Sequence, residues 1–212
     1  MVFSIFSDLV MHNRLKLEKG RIELLNQRVC MFPLDMLVDL QKNLELQSSD
    51  NLVYFSAKKT GVTWFKNMYN YFKISRADVI KWGFNVINLA GWGVPSITKM
   101  DTQEEILIFT LVDAGQANLY GKSNFSVDHY FRGCAASAGI LLLQKNCDAV
   151  ETKCISKGDG ICEFVVKPKE KFDLSSEIVK KQLFIQGKYF DTYSSAALAA
   201  NSPDFATPSS PI

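Results

Sequence analysis

The order of helix-like and strand-like segments constrains the fold of this chain more than any other feature of its sequence. Alternating apolar and polar residues indicate a hairpin over residues 14–26, and helical periodicity indicates three helices over residues 33–93. Two strands, a helix, two more strands and a last helix follow. Strands and helices in separate runs are typical of antiparallel sheets rather than of βαβ units. We therefore predict an α+β fold, with an antiparallel sheet of about four strands packed with helices and an N-terminal hairpin.

Local signals place the individual elements. Pro33 suits the first turn of a helix, Ser75 is a candidate N-cap, and Gly91 or Gly93 would end the helix that Ser75 begins. The predicted helices cover residues 33–45, 51–72, 75–93, 126–144 and 175–193. The predicted strands of the main sheet cover residues 94–102, 104–113, 147–158 and 161–170.

Length and composition indicate one domain with a tail. The chain has 212 residues, of which 47% are hydrophobic, and these can fill a substantial core. We predict a single domain over residues 1–193, in which residues 1–50 contribute the hairpin and the first helix. Residues 194–212 are rich in Ala, Ser and Pro and cannot bury enough apolar surface to fold, so we predict a disordered tail there.

Charge and cysteine usage narrow the classes of function. The 24 basic and 22 acidic residues leave a net charge of +2, which is too small to indicate nucleic-acid binding, so we expect no direct contact with nucleic acid. No apolar run approaches the roughly 18 residues that a membrane span requires, and the N-terminal segment lacks a basic leader. Five cysteines at uneven spacings are unlike a disulfide framework. We therefore expect a cytoplasmic protein without a membrane span.

Signatures of catalysis are missing from the sequence. It contains no GxSxG, GxxxxGK[ST] or HExxH motif and no strand-linked GxGxxG motif. Nothing in the sequence pairs either of its histidines, His12 and His129, with a nucleophilic cysteine. We therefore expect that the protein is not an enzyme.

The segment ETKCISKGDGICEF, residues 151–164, holds the clearest candidate site. Its glycine-rich loop folds the chain back, so that Cys154 and Cys162 can face each other across two strands. Glu151 lies three residues before Cys154, and alternation puts these two on opposite faces of an ideal strand. A bulge or the end of the strand is needed to bring them together. From spacing alone, the thiols could be metal ligands, a disulfide or buried small hydrophobes.

Several motifs occur in a fixed order around this segment. A small-residue helix segment, GCAASAG at 133–139, precedes ETKC, a GD turn and CEF at 162–164, and NLAGWGVPSI lies upstream at 88–97. This order resembles the 4-vinyl-reductase-like domain, a small-molecule-binding module. That family shares its fold with Bet-type subunits of the TRAPP complex and with the aromatic-sensing domain of bacterial enhancer-binding activators. The resemblance implies a small hydrophobic ligand and a homodimer.

The resemblance also implies a structural zinc. In the aromatic-sensing relatives, the matching glutamate and both cysteines bind zinc beside the ligand pocket, which assigns Glu151, Cys154 and Cys162 as ligands here. A cysteine of the preceding helix supplies the fourth ligand in those relatives, and the matching position here is Asp128. We predict Asp128 as the fourth ligand, with His129 as its substitute and Cys134 as the third choice.

Aromatic side chains are candidates for the walls of a ligand pocket, because small-molecule sites are mainly apolar with a few polar groups. Those predicted to bind the ligand are Trp64, Phe65, Tyr69, Phe84, Trp92, Tyr130 and Phe131, although each could instead fill the core. The small residues at 133–139 would let another backbone, a ligand or a partner approach closely. Lys58 and Lys59 are expected on a solvated face, and Cys30 and Cys147 as packed small hydrophobes.

The resulting hypothesis is a non-enzymatic regulatory domain that holds a small hydrophobic ligand and a structural zinc. Two alternatives stay open. One is a scaffold or assembly subunit of the TRAPP type. The other, implied by the name of the family, is an accessory protein in tetrapyrrole vinyl reduction.

Overall fold

A meander of three short strands opens the fold. The structure, a computed structural model, describes residue 7, residues 9–185 and residues 188–189. The meander consists of β1 (Leu15–Glu18), β2 (Arg21–Leu24) and β3 (Gln27–Val29). The predicted hairpin is confirmed. The sequence does not predict β3, because Leu25 and Asn26 form its turn in left-handed backbone with φ angles of 51° and 63°, where glycine is the usual signal.

Three helices follow the meander, as predicted. They are α1 (Leu34–Glu45), α2 (Asn51–Phe72) and α3 (Arg76–Leu89). The Asp78 N–H donates to the hydroxyl of Ser75 at 3.1 Å, so Ser75 is the N-cap of α3. Beyond α3 the backbone turns at Gly91 and Gly93, whose φ angles of +79° and +131° suit glycine. This turn leads the chain into the main sheet.

The main sheet has four antiparallel strands. They are β4 (Val94–Asp101), β5 (Ile106–Val112), β6 (Cys147–Lys153) and β7 (Cys162–Pro168), in the order β4-β5-β7-β6. Apolar side chains of the two central strands, among them Leu107, Phe109, Phe164 and Val166, are buried in the core with side chains of the helices. The predicted α+β class and the four-stranded antiparallel sheet are confirmed.

Two helices, α4 (Gly115–Tyr120) and α5 (His129–Leu143), connect β5 to β6. The sequence predicts one helix here, over residues 126–144, and α5 begins and ends inside that range. It does not predict α4, because the segment GQANLY is too short to establish a helical period.

The last helix is shorter than predicted. The prediction of a helix over residues 175–193 is wrong beyond Leu183, where α6 (Glu177–Leu183) ends. The short strands β8 (Phe184–Ile185) and β9 (Lys188–Tyr189) follow it, and residues 190–193 lie outside the described residues, as does the predicted tail. The amide of Asn51 donates to the carbonyl oxygens of Lys181 and Phe184 at 2.9 and 2.7 Å. This tertiary contact binds carbonyl groups at the end of the helix, where they lack helical partners.

Helices α2 and α5 pack with their backbones unusually close. A Cβ atom at Gly133 would lie 2.8 Å from the Lys58 N atom and closer still to the Tyr54 O atom. A Cβ atom at Gly61 of α2 would lie 2.9 Å from Cβ of Ser137 in α5. The small residues at 133–139 are expected to admit another backbone, a ligand or a partner. These contacts show that they admit the backbone of α2.

Two further expectations concern exposure. Cys147 is completely buried, as expected of a small hydrophobe, whereas Cys30 is exposed and the expectation for it is wrong. Among the helices that the described residues form, none has both the length and the apolar character that a membrane span needs.

Replacing Gly133 with alanine tests the contact between α2 and α5. Because the added methyl group would meet main-chain atoms that cannot move independently, we expect the free energy of unfolding to fall by about 2–3 kcal/mol. Urea denaturation followed by circular dichroism measures this change. Gly160→Ala is the matched control, since a Cβ atom there meets nothing within 4 Å. Equal stability of the two variants would contradict the close packing.

Candidate functional site

An irregularity in β6 brings Glu151 and Cys154 towards one point. The pairing of β6 with β7 is regular as far as Glu151 and shifts before Lys153. The strand ends at Lys153, and Cys154 is the next residue. A bulge places two residues of one strand against one residue of its partner, which resets the alternation of side chains. The feature that the sequence requires for Glu151 and Cys154 to meet is therefore present.

Three buried side chains converge at the end of this hairpin. One ligand atom from each of Glu151, Cys154 and Cys162 lies within 4.8 Å of the other two. All three residues are completely buried. Carboxylate and thiolate groups are both zinc ligands, so this set, called the Glu151 cluster below, could hold a metal ion.

A hydrogen bond between the two thiols shifts their pKa values in opposite directions. Donation from Cys162 to Cys154 lowers the pKa of Cys154 to about 5 and raises the pKa of Cys162. Burial opposes the first shift and adds to the second. The Ile155 N–H also donates to the sulfur of Cys162 at 3.4 Å. The hydrogen bond therefore favours the thiolate of Cys154, the form of cysteine that binds metals, over that of Cys162.

Asp128 lies beside the Glu151 cluster, and its N–H donates to Glu151 Oε2 at 3.1 Å. Asp128 is completely buried, and neither of its carboxylate oxygens has a hydrogen-bond partner among the described residues. Burial raises its pKa to about 7, the charge of Cys154 adds to the rise, and the nearby Phe131 N–H and Arg132 guanidinium oppose it. Burial likewise raises the pKa of Glu151. Buried carboxylates without partners are costly, and a bound cation would satisfy them.

The two alternatives to Asp128 have other partners. His129 Nε2 lies 3.0 Å from Asp50 Oδ2, and these residues form, with Glu45, a second group of potential ligands within 4.8 Å of one another. The hydroxyl of Tyr130 donates to the sulfur of Cys134, and burial raises the pKa of that thiol to about 12. Of the three candidates for a fourth ligand, Asp128 is hydrogen-bonded to the Glu151 cluster, through its main-chain N–H. Its carboxylate is not one of the ligand atoms that lie within 4.8 Å of one another.

Gln182 of α6 holds the main chain of Glu151. The Glu151 N–H donates to Gln182 Oε1 at 2.7 Å, and Gln182 Nε2 donates to the Glu151 oxygen at 2.9 Å. The buried Arg132 guanidinium donates to the main-chain and side-chain oxygens of Gln182 at 2.6 and 2.9 Å, and to Asn51 Oδ1 at 2.8 Å. The sequence does not predict this network, because Asn51, Arg132 and Gln182 lie near the ends of three different helices and match no motif.

A buried ion pair joins α2 to β6. Lys58 Nζ lies 2.7 Å from Asp148 Oδ1, and the Tyr54 hydroxyl donates to the same oxygen at 2.6 Å. Lys58 and Asp148 are both buried, so the expectation that Lys58 lies on a solvated face is wrong. Lys59, the next residue, is exposed as expected. The pattern of α2 alone cannot distinguish the two lysines, since the partner carboxylate lies 90 residues further along the chain.

The predicted ligand-binding aromatic residues pack against different neighbours in the described part of the chain. Their ring contacts are Trp64 with Phe65, Phe84 with Phe109, Trp92 with Tyr130, and Phe131 with Phe164. Phe65 and Phe131 belong to the buried core. The centroid of the Tyr69 ring lies 5.9 Å from Cζ of Arg76. The remaining members of the set are half-buried. A role for them in ligand binding stays a prediction.

Comparison with known proteins identifies the fold. No protein-family model matches the chain. The phenol-responsive sensory domain of the transcription activator PoxR, whose crystal structure was determined with phenol, superposes with a TM-score of 0.64 at 19% identity. This likeness covers 96% of the chain and 98% of that domain. The chain therefore has the fold of this sensory domain, and the predicted resemblance in fold is confirmed.

Other similarities are partial. An uncharacterized protein of Methanocaldococcus jannaschii is 30% identical over 98 residues, which are 46% of this chain and 56% of that protein's length. A vinyl-4-reductase family protein from the same organism gives a TM-score of 0.46 at 14% identity, covering 66% of this chain and 83% of that chain. A trafficking protein particle complex subunit 3 from Naegleria fowleri, covalently bound to palmitic acid, gives 0.45 at 12% identity, covering 66% and 97%.

Replacing Gln182 with alanine tests the contact between α6 and Glu151. The change leaves the main-chain groups of Glu151 and part of the Arg132 guanidinium unpaired, and each such buried group costs about 1–3 kcal/mol. We therefore expect the free energy of unfolding in urea to fall by about 2–4 kcal/mol. Gln47→Ala, at an exposed glutamine, is the control. A loss no larger than that of the control would show that the contact contributes little.

Proposed function

We propose that this chain is a non-enzymatic regulatory domain that holds a small hydrophobic ligand and is stabilised by a structural zinc ion. One observation carries the proposal: the Glu151 cluster combines one carboxylate and two thiols, all buried, with ligand atoms within 4.8 Å of one another. Groups of this kind are rarely buried together without a metal or a network of partners, since their charged forms are costly to desolvate.

Glu151, Cys154, Cys162 and Asp128 would hold the metal. The two oxygens of Asp128 and Oε1 of Glu151 are buried without hydrogen-bond partners among the described residues, and the lowered pKa of Cys154 favours its thiolate. A closed set of four such ligands is typical of structural zinc. When bound, Zn²⁺ would cross-link the β6–β7 hairpin to the start of α5 and contribute to folding.

The fold supports the proposal of a hydrophobic ligand, because a domain of the same fold was crystallised with phenol. Trp64 and Phe65 of α2 face Gly83 of α3, where an added Cβ atom would lie 2.9 Å from Phe65, and Phe84 contacts Phe109 of the sheet. These rings lie between two helices and the sheet and would present an apolar wall to a small aromatic or aliphatic molecule. Binding there would shift a conformation or a contact with a partner.

A scaffold or assembly role is the second candidate. Met31, Met36 and Leu40, at and just before α1, are 87%, 56% and 51% exposed. Clustered exposed apolar side chains mark surfaces that contact other proteins. The same surface would serve a homodimer, which we include in the proposal together with a cytoplasmic location.

Native mass spectrometry of the purified protein tests both parts of the proposal. We expect a mass increment of one zinc ion per chain and, after gentle ionisation, a bound small molecule that denaturation releases. Cys154→Ser removes a zinc ligand and should abolish the metal increment, whereas Cys30→Ser, at an exposed cysteine, should retain it. Asp128→Ala should weaken zinc binding more than His129→Ala does.

Several results would contradict the proposal. Zinc well below one ion per chain, together with unchanged stability of Cys154→Ser, would eliminate the structural metal. Chains that carry zinc and assemble through α1, but never carry a small molecule, would favour the scaffold.

Asp128 should stabilise the metal-free folded protein at low pH and lose that contribution as the pH rises. The pKa of Asp128 is raised from 3.8 to about 7, mainly by burial. Between these values the folded protein retains a proton that the unfolded chain has released, so the folded state is stabilised at low pH and loses that stabilisation as the pH approaches 7. The lowered pKa of Cys154 acts in the opposite direction over the same range, so the loss is measured as a difference from Asp128→Asn. We expect that difference to be about 2 kcal/mol between pH 5 and pH 7 in the presence of a chelator.

Urea unfolding at both pH values, with chelator and with zinc, measures this effect. Zinc should reverse the trend, because protons compete with the metal for the same carboxylate and thiol groups. Asp128→Asn cannot titrate and should change the pH dependence of the metal-free protein by removing this loss. If that variant kept the full dependence, Asp128 would not be its source.

A further inference from the structure

A cleft of about 620 Å³ lies between the loop after α4 and the turn that follows Cys154. Its volume falls within the range of small-molecule sites, which is about 300–1,000 Å³. The residues that line it lie in two segments, 117–124 and 155–158. None of them belongs to the Glu151 cluster or to the predicted aromatic set, so the cleft is separate from the proposed zinc and hydrophobic-ligand sites.

Hydrogen bonds connect the two segments that line the cleft. Ser156, which is 6% exposed, donates from its hydroxyl to the Ala117 oxygen at 2.7 Å. The Ser123 N–H donates to the Ser156 oxygen at 2.9 Å. The turn is further held by the Lys157 N–H, which donates to the Cys154 oxygen at 2.9 Å. The cleft is therefore formed before any ligand enters, which lowers the entropy cost of binding.

The charges that line the cleft are positive. Lys122 and Lys157 line it, and no lining residue carries a carboxylate. The nearby carboxylate of Asp159 accepts a hydrogen bond from the Cys154 N–H at 2.8 Å and lies 3.8 Å from Lys157 Nζ. Asp113 accepts a hydrogen bond from the side chain of Asn118 at 2.7 Å. Within the described part of the chain, Lys122 has no ion pair, so its charge is available to a ligand.

Other cations surround the same loop. Lys42 Nζ donates to the Tyr120 oxygen at 3.3 Å, and Lys181 Nζ lies 4.7 Å from the centroid of the Phe125 ring. Glu45 accepts a hydrogen bond from the Tyr120 hydroxyl at 2.6 Å. The charge of Asp50 also reaches Tyr120, so acids and cations both lie near residues 120–125, but neither Glu45 nor Asp50 lines the cleft. The charged side chains that line it are both positive, which favours an anion there.

We propose that this cleft binds a small organic anion, a carboxylate or a phosphate ester with a short apolar body. The ammonium groups of Lys122 and Lys157 and the amide of Asn124 can donate to the acidic group. Ile155, which is half-buried, supplies apolar surface for the remainder of the molecule. Gly121 and Gly158 have φ angles of +85° and +97°, and a Cβ atom at either would meet nothing within 4 Å, so the backbone is open to a ligand there.

Amide chemical shifts of the purified protein, followed by NMR during titration, test this inference. The probes are benzoate, inorganic phosphate and the neutral analogue benzyl alcohol. We expect saturable shifts at residues 121–124 and 156–158 with benzoate, with phosphate or with both, and the responding probe identifies the acidic group. Benzyl alcohol should leave these residues unshifted. The double variant Lys122→Ala/Lys157→Ala should weaken anion binding at least about tenfold, since charge-assisted hydrogen bonds are lost.

Lys99→Ala, which removes an exposed lysine of β4, is the matched control and should bind as the unchanged protein does. Three results would overturn the inference: shifts that never saturate, shifts spread evenly over surface lysines, or equal weakening by the control. Loss of zinc binding in Cys154→Ser tests the proposed function separately, because the cleft requires no metal ligand.

Discussion

The close contact between α2 and α5 is the constraint on which the remaining structure depends. With glycines at 61 and 133, the two backbones approach to distances that a methyl group would prevent. At this contact Tyr54 and Lys58 of α2 bind Asp148 of β6, so one buried group joins the helix to the sheet. A larger separation would break that ion pair and leave buried charges without partners, which costs more than a lost apolar contact. The small residues therefore determine how the sheet lies against the helices.

Buried polar groups add specificity to this packing. Arg132 at 0% exposure donates from its two terminal nitrogens to Gln182 and Asn51, and its Nε has no hydrogen-bond partner among the described residues. Its guanidinium lies 4.2 Å from the centroid of the Tyr54 ring. An arginine can be buried at modest cost only if its donors are matched geometrically, so few arrangements of α6 relative to α5 are allowed. The same network reaches the main chain of Glu151 through Gln182. The position of a candidate metal ligand is thus determined by residues that are not themselves candidate ligands.

Local patterns in the sequence predict most of the elements but few of the contacts between them. Alternation and helical periodicity identify the hairpins and the long helices, and the spacing from Glu151 to Cys154 shows that a bulge or a strand end is required there. Lys58 is missed because a lysine that bonds a distant aspartate looks the same in sequence as a solvated one. The end of α6 is missed because Asn51, 130 residues earlier, binds the carbonyl groups that would otherwise extend the helix. Such errors arise because tertiary contacts override the local propensities on which the predictions rest.

The side chains that reach β6 have a consequence for association between chains. β6 is at the border of the main sheet, where unpaired main-chain groups could accept a strand from another molecule and begin aggregation. The Ala149 N–H donates to the Tyr54 hydroxyl at 3.1 Å, and the Glu151 N–H donates to Gln182, so these two donors are already occupied. On the opposite border, β4 contains Pro95 and an irregular register between Ile97 and Lys99. Both borders of the sheet therefore carry features that disfavour intermolecular strand pairing, and on β6 the same side chains that are buried in the core occupy donors of the sheet edge.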